Sequence, residues 1–347
     1  MNFRNLLILL GILAFQVSCS KPSPTDMCSL FENSEQLSPS GSTIENSELR
    51  KPYLMDFSDG YLLLADLGQE HAFSIYDVKT GKLIQEVGTR GTGPNEILHV
   101  SSTKYNDKKI TLFDAGSSQI HTITEPLSED SHHELVPMQM NDTLQAAFNV
   151  IPVGNNHYVA SGIIIGNRLA LMDEKGNIET CFGDYPSGHV IGNTDIENGF
   201  IYQCVLVYNP VSQVLGVACG MGQSISFYDL KNQNNPSLIK EHTFEQPAYM
   251  LTKETGSPVA FTKDAVYGFI DAKPFNNNIV CLYSGEPLSP KNFGGNKLMI
   301  FDESGNPVKR IDLNKSYLNI ATDSDNGIIY LLGSNEDVGY FIDMIKC

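Results

Sequence analysis

Residues 61–66 read Tyr-Leu-Leu-Leu-Ala-Asp, and eleven residues further on residues 72–77 read Ala-Phe-Ser-Ile-Tyr-Asp. Each is a short apolar run closed by an acid, the pattern of a strand that stops at a turn. The same pairing recurs along the chain. Lys109–Asp114 is followed by Gln119–Glu125, Tyr158–Gly162 by Arg168–Asp173, and Leu215–Gly220 by Ser224–Asp229. Ile279–Ser284 is followed by Lys297–Asp302, and Ile328–Gly333 by Val338–Asp343. The offsets between run ends are 11, 11, 11, 9, 18 and 10 residues. The fifth is long because Glu286-Pro287-Leu288-Ser289-Pro290 reads as a loop insertion. Six hairpins at a spacing of roughly 50 residues are the mark of a repeat architecture.

The surroundings of each hairpin supply two more strands. Asp77 to Gly81, Asp173 to Gly176 and Asp302 to Gly305 each span a short turn. There an Asp side chain accepts backbone amides and a Gly takes the left-handed position, so a third strand follows. Leading strands are expected at Tyr53–Ser58, Val100–Tyr105, Ala147–Pro152, Ile201–Leu206, Pro258–Lys263 and Leu318–Thr322. Leu54-Met55-Asp56 and Phe269-Ile270-Asp271 copy the motif and fall before the hairpins of their own repeats. Four antiparallel strands per repeat, six times over, predict an all-β, six-bladed β-propeller. Tandem β-sandwiches are the alternative, but no linker divides the chain near its middle. Only four residues follow Asp343, so the last blade lacks its outer strand. Part of Ser29–Leu49, foremost Ser42–Leu49, is expected to supply it and close the ring. That closure would bring Cys28 near Cys347, where a disulfide is conceivable.

Composition bounds the function. Of 347 residues 41% are hydrophobic, which excludes a wholly disordered chain. Lys and Arg number 23 against 40 Asp and Glu, a formal charge of −17. Such a chain is no general nucleic-acid binder, because it lacks the cations that displace counterions from phosphates. Arg4 precedes the apolar run Leu6–Phe15, followed by Gln16-Val17-Ser18-Cys19. The run is too short to span a bilayer and reads as a secretory signal. Ser18-Cys19 resembles the bacterial lipoprotein signal, with Gln16 where Leu is common. The resemblance implies acylation of Cys19 and membrane attachment through that lipid. The expected division is a signal peptide over 1–18, a tether over 19–41 that packs in part, and the propeller over 42–347.

Between the first two repeats stands Gly88-Thr89-Arg90-Gly91-Thr92-Gly93-Pro94-Asn95-Glu96-Ile97-Leu98. It resembles the blade linker of the six-bladed, TolB-like propeller lipoproteins of Bacteroidetes, which often show Gly-x-x-Gly-x-Gly-Pro-Gly-Glu-Phe. This chain has Asn95 for the last Gly and Ile97 for Phe. The resemblance implies a propeller in the envelope of a Gram-negative bacterium, held by lipid at the outer membrane. It implies little chemistry. A phosphate-cradling reading fails because no helix and no Lys-Ser/Thr follows. The glycines instead permit a sharp crossing between strands, with Arg90 and Glu96 placed to pair across it.

Polar residues on the leading strands are the candidates for channel chemistry: Asp56, Lys104, Asn149, Gln203, Thr262 and Asn319. Oxygens from Asp56, Asn149, Gln203 and Asn319 are of the type that holds Ca²⁺, and six-bladed lactonase-like hydrolases carry such a metal. A water-filled channel is polar in any case. His132-His133 sits in a polar stretch read as a solvated loop. No G-x-S-x-G, H-E-x-x-H or Walker motif occurs. Phe73, Tyr76, Phe113, Phe227, Tyr228 and Phe301 read as packing between blades. Tyr185, Tyr249 and Phe275 are the aromatics offered to a glycan. Cys204, Cys219 and Cys281 lie in apolar runs and read as buried thiols. The expected function is a monomeric binding module for a protein or glycan partner, without catalysis or cofactor. A metal-dependent hydrolase or lyase with its site in the channel is the alternative.

Overall fold

The computed structural model describes residues 25–44, 49–93, 95–106, 108–124, 132–138, 141–186, 192–253 and 257–347. Residues 1–18, read above as a signal peptide, and Cys19 lie outside them. Among the described residues, six antiparallel sheets form the blades of a propeller. Blade 1 runs Pro52–Ser58, Tyr61–Asp66, His71–Asp77 and Leu83–Thr89, from the axis outward. Blade 2 runs Val100–Asn106, Lys109–Asp114, Gln119–Thr124 and His132–Pro137. Blade 3 runs Leu144–Pro152, Tyr158–Ile164, Leu169–Met172 and Ile178–Phe182. Blade 4 runs Cys204–Asn209, Val214–Cys219, Gln223–Asp229 and Ser237–Glu245. Blade 5 runs Phe269–Phe275, Asn278–Tyr283, Gly295–Phe301 and Pro307–Tyr317. Blade 6 supplies Asn319–Asp323, Ile328–Asn335 and Gly339–Lys346 from the chain's end. Each inner strand lies against the inner strands of both neighbours, and the sixth lies against the first.

The second and third strands of every blade are buried on both faces, so each sheet needs a partner on either side. The core is accordingly divided among the blade interfaces. Leu63, Phe73 and Tyr105 pack between blades 1 and 2; Leu169, Leu171 and Leu206 between blades 3 and 4. Leu282, Leu331 and Phe341 fill the space between blades 5 and 6, and Met55, Tyr76 and Leu332 that between 6 and 1. The expected turns form. Asp77 Oδ1 accepts the Lys79 and Thr80 amides, Asp173 Oδ1 those of Lys175 and Asn177, and Asp302 Oδ1 those of Ser304 and Asn306. Gly81, Gly176 and Gly305 all have φ between 71° and 78°.

The leading segment closes the ring, but earlier than expected. Ser40–Gly41 pairs antiparallel with Asp343 and Met344, and Ser42 N–H donates to the Ile342 carbonyl at 2.9 Å. Of the expected Ser42–Leu49, residues 45–48 lie outside the described residues. Ser34–Leu37 adds a fifth, parallel strand to the edge of blade 5, with Ser34 opposite Arg310. Met27 and Phe31 are buried between blades 4 and 5, and Phe31 meets Phe301 edge-on at 5.2 Å. The stretch read as a tether is therefore built into the propeller from Met27 onward. Cys28 and Cys347 are free thiols; no disulfide joins them.

Three further assignments change. The inner strand of blade 5 is Phe269–Phe275, not Pro258–Lys263, because Asn276-Asn277 joins it directly to Asn278–Tyr283, with Asn276 at φ 54°. Val259–Phe261 pairs with Tyr249–Leu251 as an inserted hairpin. Ile201 ends a helix, Asp195–Ile201, and the inner strand of blade 4 begins at Cys204. His132 and His133 pair with Thr124 and Ile123 in the outer strand of blade 2 rather than in a loop.

Candidate functional site

The inner strands carry at least one polar link across every blade interface. Asp56 Oδ2 accepts the Tyr105 amide at 2.8 Å, joining blades 1 and 2. Ser102 Oγ donates to the Val150 carbonyl at 2.5 Å, joining 2 and 3. Asn149 Nδ2 donates to the Cys204 carbonyl at 2.7 Å, joining 3 and 4. Asn209 Nδ2 donates to the carbonyls of Asn276 at 2.8 Å and Asn278 at 2.7 Å, joining 4 and 5. Asp271 Oδ2 accepts the Ile320 amide at 3.0 Å, joining 5 and 6. Asn319 Oδ1 accepts the Met55 amide at 2.7 Å, completing the circle. Antiparallel sheets leave inner-edge amides and carbonyls facing the axis, and these side chains satisfy them.

Asp56, Asn149 and Asn319 are thus held at three different interfaces, not gathered at one point. Gln203 is exposed at the start of blade 4, and Thr262 lies in the inserted hairpin with its amide on the Ala248 carbonyl. Among the described residues no three His, Cys, Asp or Glu side chains assemble for a metal.

Two cavities open along the axis. One, about 610 Å³, is lined by the C-terminal ends of inner strands, with Asp56, Lys104, Lys109 and Lys273. Two of its cations have internal partners: Lys104 Nζ stands 3.9 Å from Asp56, and Lys273 Nζ stands 3.4 Å from Asp271. Burial pushes the Asp271 carboxyl up, against the pull of Lys273 and the Ile320 amide.

The other cavity, about 450 Å³, opens where the inner strands begin. Tyr53, His99, Phe148, Phe261, Tyr267 and Phe293 give it an aromatic lining, with Gln203 and Asn149 as polar points. Tyr53 and His99 stack with centroids 6.4 Å apart, and Tyr267 meets Phe293 edge-on at 5.7 Å. Burial raises the Tyr53 hydroxyl above its usual value, with Arg90 acting in the opposite sense. Phe293 is 55% exposed at the rim.

Three departures from the four-strand plan among the described residues converge on this second mouth. The helix Asp195–Ile201, capped by Thr194 accepting the Glu197 amide at 3.2 Å, sets Phe200 on Phe148 at 5.1 Å. The inserted hairpin contributes Phe261, and the loop inserted in blade 5 contributes Phe293. Of the aromatics expected to face a glycan, Tyr185 and Phe275 are buried in packing clusters. Tyr249 is half-buried on the inserted hairpin. The lining aromatics come from separate blades and share no local spacing; the one shared signal is an aromatic near the start of an inner strand, as at Tyr53 and Phe269.

The glycine-rich linker has the structural role expected of it. Glu96 Oε2 accepts the Gly93 amide at 2.6 Å, and a Cβ on Gly91 would stand 2.0 Å from that oxygen. Arg90 does not pair with Glu96; its Nη2 donates to the Asp66 carbonyl at 2.5 Å. Asn95 takes φ 64°, a backbone state where glycine is the easy residue and Asn the next easiest.

Residues 32–325 match the family model described as TolB-like 6-blade propeller-like. Two solved structures share the fold. A member of the DUF4221 family from Bacteroides vulgatus superposes with a TM-score of 0.54 at 10% identity, covering 91% of this chain and 98% of that one. A putative exported protein from Bacteroides fragilis gives 0.51 at 10% identity, covering 85% and 90%. No curated protein matches the sequence. Given the family match over most of its length and the ring of six blades, the chain belongs to the TolB-like six-bladed β-propeller family.

Proposed function

We propose that the protein is an exported, lipid-anchored propeller that binds a protein or glycan partner at its aromatic mouth, without chemistry on it. The observation that carries this reading is the convergence of the helix, the inserted hairpin and the blade 5 loop on one end of the axis. Additions to a repeated scaffold are where binding function concentrates. An aromatic-lined cup with a few polar points suits stacking on a sugar ring or seating an apolar side chain. The signal ending at Cys19 supports anchoring by lipid. The likeness to a structure described as an exported protein supports export. Among the described residues no helix is long and apolar enough to cross a membrane.

Two experiments test the two halves. Metabolic labelling with a clickable fatty acid should mark the wild type and leave Cys19→Ser unmarked; equal labelling of both would refute the anchor. For the mouth, the soluble part, residues 20–347, is used to capture envelope proteins and glycans, with metal content measured in parallel. Phe148→Ala combined with Phe261→Ala should weaken capture at least about tenfold, the scale of losing aromatic anchors. Capture that survives this pair but fails in Lys104→Ala with Lys273→Ala would move the site to the opposite mouth.

A further inference from the structure

Cys204 and Cys219 stand directly opposite each other on the inner and second strands of blade 4. The adjacent pair, Gln203 and Gly220, is joined by the Gly220 amide on the Gln203 carbonyl at 3.0 Å. Antiparallel pairs alternate between bonded and non-bonded, so the two cysteines form a non-bonded pair. Their Cα atoms are then about 4.5 Å apart, inside the range a disulfide bridges. Directly opposed residues project on one face, here the face turned toward blade 3. Both are buried and both are free thiols.

A buried cation sits against them. Arg168, at the start of the third strand of blade 3, is 2% exposed, and its Nη2 lies 3.0 Å from Cys219 Sγ. Its Nε and Nη1 have no hydrogen-bond partner among the described residues, and the hydroxyls of Tyr185 and Tyr202 have none either. No carboxylate pairs with it there. A guanidinium stays charged when buried, and an uncompensated buried charge is costly. Among the described residues, the groups set against that charge are the Cys219 sulfur and the Tyr202 ring, whose centroid is 5.9 Å from the guanidinium carbon. Burial raises the Cys219 thiol, while the Arg168 charge works to lower it. Cys204 is also one of the residues that line the aromatic cavity.

We propose that Cys204 and Cys219 are a redox pair, closed to a cross-strand disulfide by exchange with a disulfide-bearing oxidant, with Arg168 as the positioning residue for the sulfur anion. The Cys204 thiol loses its proton and attacks the oxidant's disulfide. The oxidant's S–S bond breaks, a mixed disulfide forms at Cys204, and one thiolate leaves and takes up that proton. Cys219, its anion held by Arg168, then attacks the Cys204 sulfur. The mixed disulfide breaks, the Cys204–Cys219 bond forms, and the second thiolate leaves with the Cys219 proton. Two protein thiols are oxidised, and one disulfide is reduced to two thiols. Cys204 belongs to both the pair and the mouth, so the oxidation state fixes one wall of the binding cavity. The supply of oxidant in the cell rests on the exported reading; the chemistry does not.

The purified protein is equilibrated with oxidised glutathione, its free thiols are alkylated, and its peptides are mapped by mass spectrometry. The expected result is a linked pair containing Cys204 and Cys219, lighter by two hydrogens and reopened by reduced glutathione. Cys28, Cys181, Cys281 and Cys347 should carry the alkyl label. In Arg168→Gln the bond should close at least tenfold more slowly near neutral pH, with its rate profile displaced to higher pH, yet still form at long times. If this variant does not fold, the wild-type map decides alone. Full alkylation of both cysteines, in folded protein and in protein refolded with oxidised glutathione, would overturn the proposal. So would linkage of either to another cysteine. The mouth variants described above contain no cysteine change, so this outcome leaves the binding reading intact.

Discussion

Asp114 closes the second strand of blade 2 with its side chain fully buried. Its oxygens accept the amides of Leu98, His99 and Gly116 and the Ser117 hydroxyl. Asp66 does the same in blade 1, for Arg50, Lys51 and Gly68. Each acid fastens the chain entering its own blade, and a glycine two residues on lets that chain pass close by. Burial pushes the Asp114 carboxyl up, but these four donors outweigh it and hold it below its ordinary value. The folded state therefore resists protonation more than the unfolded chain does. The stabilisation is complete above the unfolded value, about 4. It is lost as pH falls through the lower, folded value. Asp114→Asn should cost about 1.5–3 kcal/mol in urea unfolding at pH 7. The loss should shrink below about pH 4, where the wild type gives up the same contribution. At Asn95 the backbone requires φ 64°, so a β-branched side chain is the wrong choice. Asn95→Val should destabilise by about 1–2 kcal/mol, and Asn95→Gly should be near neutral by the same measurement. The turn acids Asp77, Asp173 and Asp302 were readable in the sequence because their partners lie within four residues. Arg90 and Glu96 were not, because each found a backbone group where a side-chain pair had been expected.

At the scale of elements, strand identity was legible wherever alternation and a turn coincide, and all six central hairpins are where the spacing puts them. Blade 5 shows where that reading fails. Val259–Phe261 looks like an inner strand by composition, but only Phe269–Phe275 has a tight connection to the next strand. The leading segment shows a second failure. Its Ser- and Pro-rich composition reads as a linker, yet Met27 and Phe31 reach a blade interface and four residues add to a sheet edge. Burying two such side chains is worth about 1.5–3 kcal/mol each. A chain starting at residue 25 should therefore unfold in denaturant like the full soluble part. One starting at residue 42 should lose about 3–6 kcal/mol, or fail to fold. Equal stability of the two would contradict the closure of blade 6 by Ser40–Gly41 and the packing before it.

At the scale of the whole molecule, the polar inner-strand residues and the aromatic mouth have different roles. The circle of links from Asp56 to Asn319 ties blade to blade and engages the side-chain oxygens of Asp56 and Asn319 with backbone amides. The mouth combines inner-strand aromatics such as Tyr53 and Phe148 with additions lying outside the repeat. Sequence reasoning identified the positions on inner strands correctly for Asp56, Asn149 and Asn319. It could not say that their partners are backbone groups of the next blade, 49 residues away for Asp56, 55 for Asn149 and 264 for Asn319, whose link closes the ring. The aromatic lining was illegible for a related reason: it comes from several blades and becomes one surface only when the ring closes.

The most direct test is photocrosslinking in living cells from a benzophenone side chain placed at Phe293, on the aromatic rim, or at Val211, beyond the lysine-lined mouth. The account predicts discrete adducts from position 293 that fade when Phe148 and Phe261 are both Ala, and none from position 211. Adducts from position 211 alone would contradict it, as would position 293 adducts indifferent to the loss of those two rings.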